Sequence, residues 1–90
     1  FAVEYGGPDA AFTSFRVGGQ FLNLDLDASY KHGDNWGGTI FHVSDVDAMY
    51  HRATEAGLTP EMAPSDAPWG ERYFHILDPD GHELSFAKRL

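Results

Sequence analysis

Asp78-Pro79-Asp80-Gly81-His82-Glu83-Leu84-Ser85-Phe86 is the stretch whose reading decides the fold. Its first four residues have the chemistry of a tight turn, with proline suited to the second position and glycine to the fourth. The residues beyond alternate: Leu84 and Phe86 point one way, Glu83 and Ser85 the other. Arg72 to Leu77 and Glu83 to Ala87 therefore read as two strands of a hairpin. The Asp-x-Asp-Gly element reads as a hairpin turn and not a calcium loop, which needs further oxygens at alternate positions and a distal glutamate, a pattern that Pro79 and the immediate strand spoil.

Upstream lies the one good helix pattern, over 45–56. Ser44 can cap it, and Asp45 and Asp47 sit in the first turn, where the helix dipole favours carboxylates. Val46, Met49, Tyr50 and Ala53 recur at helical spacing as one apolar stripe, and Gly57 stands where a left-handed C-cap residue belongs. Thr39 to Val43 is a short strand before the helix. Leu58 to Met62 reads as an edge strand interrupted by Pro60, and Ala63 to Gly70 as a loop holding Trp69. Residues 39–90 thus run strand, helix, strand, strand, strand.

Residues 1–26 read as a three-strand meander over 1–5, 11–17 and 21–26, with turns at Gly6-Gly7-Pro8-Asp9 and Gly18-Gly19. Leu22, Leu24 and Leu26 share one face of the third strand, Asn23 and Asp25 the other. Residues 27–38 form a polar connector between two halves of a single domain, 1–90. The meander has the pattern of the last three strands of the same unit. Its opening strand and helix are expected ahead of Phe1.

The chain has 90 residues, six Lys plus Arg, fourteen Asp plus Glu and a formal net charge of −8. That balance argues against a nucleic-acid partner, which needs a basic stripe, and equally against an anionic membrane surface. No cysteine is present, which removes disulfides, thiolate metal sites and cysteine nucleophiles together and fits a cytoplasmic location. None of the five histidines falls into a His-x-His or His-Glu-x-x-His spacing. His51 lies on the polar helix face and His32 in the connector, both read as solvated, whereas His42 and His75 on strands can line a pocket. Ser14, Ser44 and Ser85 lack any nucleophile-elbow context.

Phe41-His42-Val43-Ser44-Asp45-Val46, Trp69-Gly70-Glu71-Arg72 and Asp78-Pro79-Asp80-Gly81-His82-Glu83-Leu84 together resemble the second module of the vicinal-oxygen-chelate superfamily, which groups glyoxalases, bleomycin-resistance proteins and extradiol dioxygenases. The Trp-Gly-x-Arg and Asp-Pro-Asp-Gly pieces look most like its bleomycin-resistance-type branch. The resemblance implies an α+β fold: paired βαβββ modules forming a curled, mostly antiparallel open-barrel sheet, with the first module incomplete in this chain. It also implies that enzymes of the superfamily hold one divalent metal with side chains from the first and last strand of each module. The positions so implied fall on Asn23, Gly38 and Ser85, a weak donor set. A shift that keeps side chains on the same face brings in Asp25, His42 and Glu83 instead.

Strand parity gathers the candidate ligand-binding residues Asn23, Asp25, Ile40, His42, Trp69, Tyr73, His75, Glu83 and Ser85 around a pocket. The leading expectation is a non-catalytic, antibiotic-sequestering small-molecule binder without a cofactor, taking an aromatic or cationic ligand and forming a homodimer. One alternative is a metal-dependent lyase, isomerase or dioxygenase with a divalent ion such as Zn, Ni, Mn or Fe on Asp25, His42 and Glu83. Another is an orphan domain serving mainly as a dimerisation module.

Overall fold

A computed structural model describes residues 1–31 and 38–90. In chain order these form β1 (Ala2–Tyr5), β2 (Phe12–Val17), β3 (Gln20–Asp25), β4 (Gly38–His42), α1 (Val46–Glu55), β5 (Ser65–Ala67), β6 (Glu71–Leu77) and β7 (Glu83–Arg89). The fold is α+β, as expected, and the described residues fall into two units, Phe1–Tyr30 and Lys31–Leu90. Residues 32–37 of the connector, His32 among them, lie outside the described residues.

The first unit is an antiparallel sheet in the order β1-β2-β3. Val17 pairs with Gln20, so Gly18-Gly19 is a two-residue hairpin loop, and Gly18 supplies its positive φ of 60°. At the other turn Gly6 has φ 82°, and a Cβ there would lie 2.2 Å from the Phe12 carbonyl oxygen, so only glycine fits. The Thr13 hydroxyl closes this turn by donating to the Gly7 carbonyl at 3.0 Å and accepting from the Gly7 amide at 3.1 Å. Leu22 and Leu24 lie opposite Phe15 and Thr13, while Asn23 and Asp25 lie opposite Ser14 and Phe12. The alternation is as read, but Leu24 remains 51 % exposed, and Leu26 falls beyond the strand. No helix belongs to this unit to cover either face.

The second unit is one βαβββ module with sheet order β4-β7-β6-β5. β4 runs parallel to β7, and the β7–β6 and β6–β5 pairs are antiparallel. One face packs on α1. Phe41, Phe86 and Phe74 are register partners across three strands, stacked at 5.5 and 5.3 Å between ring centroids, and Tyr50 meets Phe74 edge-on at 5.5 Å. Phe74 is wholly buried, with Ile76 and Val46 nearly so. Met49 and Ala53 complete the stripe but are only half-buried.

Three local expectations change. The cap is Asp45 rather than Ser44: its backbone is extended, and its carboxylate accepts from the Ala48 amide at 3.0 Å, which delays the helix to Val46–Glu55. Both residue types cap well, and the residue one position later reaches the open amide. Leu58 to Met62 is not a strand. The edge strand is Ser65–Ala67, inside the stretch expected to be loop, because Pro60 and Pro64 offer no amide to a ladder. Only the Glu61 amide reaches β6 from that segment, donating to the His75 carbonyl at 3.0 Å.

The helix end is as read. Gly57 has φ 85°, its amide donates to Thr54 O, and the Leu58 amide donates to Ala53 O, both at 3.0 Å. That is the paired closure of a Schellman motif. At the decisive turn, the Asp78 carboxylate accepts from the Asp80 and His82 amides at 2.9 and 2.8 Å, so it is occupied in holding the hairpin. No described helix is long and apolar enough to cross a membrane.

Candidate functional site

The face of the second sheet turned away from α1 carries most of the candidate residues. Register places them in rows. Ile40, Ser85 and His75 form one row across β4, β7 and β6. His42, Ala87, Tyr73 and Ser65 form the next, and Gly38, Glu83 and Leu77 the row on the other side. Period-two alternation gives all of these one face. Thr39, Phe41, Leu84, Phe86, Phe74 and Ile76 belong to the other.

Aromatic rings form a shelf on this open face. Tyr73 and His75 are two residues apart on β6, 6.2 Å between centroids. Trp69, from the short β5–β6 connection, lies 5.5 Å from Tyr73, and its indole N–H donates to Glu71 at 2.9 Å. That bond fixes the ring while leaving it 64 % exposed. Ile40, 62 % exposed, adds an apolar surface on β4. Glu71 was missed in the sequence reading, although its parity with Tyr73 and His75 was there to be used.

Arg72, in the Trp-Gly-x-Arg motif, points the other way. Its guanidinium binds Asp47 through Nη2 at 2.9 Å and Nε at 3.2 to 3.3 Å, and binds Asp66 through Nη1 at 2.9 Å. The Arg72 hydrogen bond holds the Asp47 carboxyl below its ordinary value, and the two carboxylates raise the Arg72 pKa in turn. The motif arginine is thus a clamp between the helix start and β5. A cleft of about 480 Å³ beside it, bordered by Ser44, Asp47, Lys88 and Leu90, lies on this clamp and away from the aromatic shelf. The shelf has the better chemistry for an organic ligand.

A strand–helix–three-strand module closed by Asp-Pro-Asp-Gly and its parallel β4–β7 pair agrees with a family model, that of the Glyoxalase/Bleomycin resistance protein/Dioxygenase superfamily, which matches residues 3–86. The chain belongs to this superfamily. An uncharacterized Mycobacterium bovis protein is 36 % identical over 102 residues, covering 97 % of this chain and 67 % of its own length. One from Mycobacterium tuberculosis is equally similar, and this chain spans only 60 % of it. Among solved structures, TioX from Micromonospora sp. ML1 is 26 % identical with a TM-score of 0.78, covering 100 % of this chain and 80 % of that one. A bleomycin-binding protein complexed with bleomycin shares the fold at 19 % identity and a TM-score of 0.79, covering 98 % and 78 %.

Against the metal positions that the superfamily resemblance implies, this member fits poorly. Gly38 has no side chain, and a Cβ built there would already stand 3.4 Å from the Glu83 carbonyl oxygen. Asn23 and Ser85 offer only neutral oxygens. In the alternative set, His42 and Glu83 do not come together. Glu83 stands opposite Gly38 and His42 opposite Ala87, so the two are four residues apart along a strand pair, about 13 Å. Asn23 and Asp25 belong to the other unit. Instead, Glu83 meets His75 and Glu61, whose ligand atoms all lie within 4.8 Å of one another. His75 Nε2 is 3.7 Å from Glu61 Oε1.

Proposed function

We propose that this protein binds a small aromatic or cationic molecule on the open face of the second sheet, in the manner of an antibiotic-sequestering member of its superfamily. One observation carries the reading: the Trp69–Tyr73–His75 shelf, with Trp69 exposed and Tyr73 and His75 half-buried, bordered by Glu71 and Glu83. Aromatic faces attract cations and stack on flat rings, and flanking carboxylates add to both the attraction and the orientation. The net charge of −8 works in the same direction. The bleomycin complex of a structural neighbour supports this class of ligand. Binding is favoured over lyase, isomerase or dioxygenase chemistry because Asn23, Gly38 and Ser85 are weak or absent donors. A second reading, metal-dependent activity, is favoured by the cluster of Glu61, His75 and Glu83.

The test is a thermal-shift and calorimetric screen in chelator-treated buffer, using bleomycin and a panel of aromatic amines. At least one compound is expected to raise the melting temperature of the wild type and not that of Trp69→Ala. Equal stabilisation of both proteins, or of neither by any compound, contradicts the reading.

The binding form is proposed to be a homodimer. Val3 and Leu24 share one face of the first sheet and are each more than half exposed, and exposed apolar sheet surface favours a second copy. Sedimentation velocity is expected to show twice the 10.0 kDa chain mass, and a monomer at micromolar concentration contradicts it.

A further inference from the structure

Glu61, His75 and Glu83 reach one point from three separate segments. His75 on β6 is the register partner of Ser85 on β7, and Glu83 lies two residues before Ser85 on the same face. Glu61 joins from the segment ahead of β5, anchored by its amide on the His75 carbonyl at 3.0 Å. Their ligand atoms lie within 4.8 Å of one another. We propose that these three residues form a site for a divalent first-row transition metal ion. It is distinct from the positions implied by the superfamily resemblance, Asn23, Gly38 and Ser85, and goes beyond the small-molecule reading without resting on it.

Three features support the assignment. The donors are one imidazole and two carboxylates, a set suited to Zn, Mn, Fe, Co or Ni and less to Mg or Ca, which prefer oxygen alone. Two carboxylates with a neutral imidazole match the charge of a divalent ion. Among the described residues no lysine or arginine pairs with Glu61 or Glu83 to neutralise them first. The geometry is also near what is needed. Metal–ligand bonds of 2.0–2.2 Å put neighbouring donors about 3 to 3.5 Å apart, so the observed spread closes by roughly an ångström through glutamate rotamers. Glu61 and Glu83 are exposed and His75 half-buried, so the backbone need not move.

Three protein ligands leave coordination positions open toward the face that carries Tyr73 and Trp69. An oxygen- or nitrogen-bearing small molecule could complete the shell from that side. The other three-residue group, Asp78, Asp80 and His82, is the weaker candidate because Asp78 already accepts two backbone amides there.

The test uses the chelator-stripped full chain with the metal alone. Titration with Zn²⁺ by calorimetry, and with Co²⁺ by visible absorption, is expected to show saturable uptake of one ion per chain, with cobalt bands that report nitrogen ligation. Glu61→Gln, His75→Gln and Glu83→Gln should each weaken it at least about tenfold, since even outer-shell partners of metal sites are worth that much. His82→Gln and His42→Gln should leave it unchanged. Glu61 is exposed and off any strand, so Glu61→Gln remains informative even if His75→Gln fails to fold. No one-to-one uptake by the wild type overturns the proposal, as does uptake that survives Glu61→Gln and Glu83→Gln or disappears with His82→Gln.

Discussion

At the scale of single residues, two aromatic side chains on opposite faces of the same sheet have opposite roles. Phe74 is wholly buried between Phe86 and Tyr50 and holds the helix to the sheet. Trp69 is 64 % exposed and touches only Tyr73 among the described aromatic rings, while its N–H is satisfied by Glu71. Removing an exposed ring costs little packing, so Trp69→Ala should leave the melting temperature of the free protein nearly unchanged. The same change should cost a cationic ligand about 0.5–2 kcal/mol of binding, the range for a cation over an aromatic face. Glu83→Gln removes a charge from an exposed position and should likewise weaken a cationic ligand without unfolding the chain. Isothermal titration beside a melting curve separates the two effects. A variant that loses stability as fast as affinity would make these residues structural.

At the scale of elements, the helix is fastened at both ends by polar chemistry that was partly legible in the sequence. Gly57 and the Asp78–Gly81 turn were readable because their conformations are set by local residues: a glycine in the left-handed region, and a carboxylate folding back on its own amides. The position of β5 was not, since a three-residue edge strand is defined by its pairing with β6 and carries no periodicity of its own. Nor was the approach of Glu61 to His75, which depends on how the chain passes between Pro60 and Pro64. The Arg72 clamp yields a pH prediction. Its hydrogen bond lowers the Asp47 pKa below the usual 3.8, so the clamp contributes stability above that value and loses it as pH falls through the lowered pKa. The melting-temperature difference between wild type and Arg72→Met should therefore be small, because the pair is exposed, and constant from pH 7 to about 5. It should shrink in stronger acid. A difference that grows on acidification would contradict the clamp.

At the scale of the whole molecule, a shared superfamily fixes the architecture and leaves the chemistry to the residues on the faces. This chain has an open sheet face with aromatic rings, an exposed isoleucine and carboxylates, opposite a face filled by phenylalanines and a helix. On the proposed reading, one side of the sheet serves folding and the other recognition. The most direct test of that division is a ¹H–¹⁵N spectrum of the full chain titrated with bleomycin or with the best compound from the screen. The account predicts shifts concentrated at Ile40, Trp69, Tyr73, His75 and Ser85, with Asp47, Ala53 and Arg72 unmoved. Shifts gathered on the helix and its clamp, with the open face silent, would contradict it.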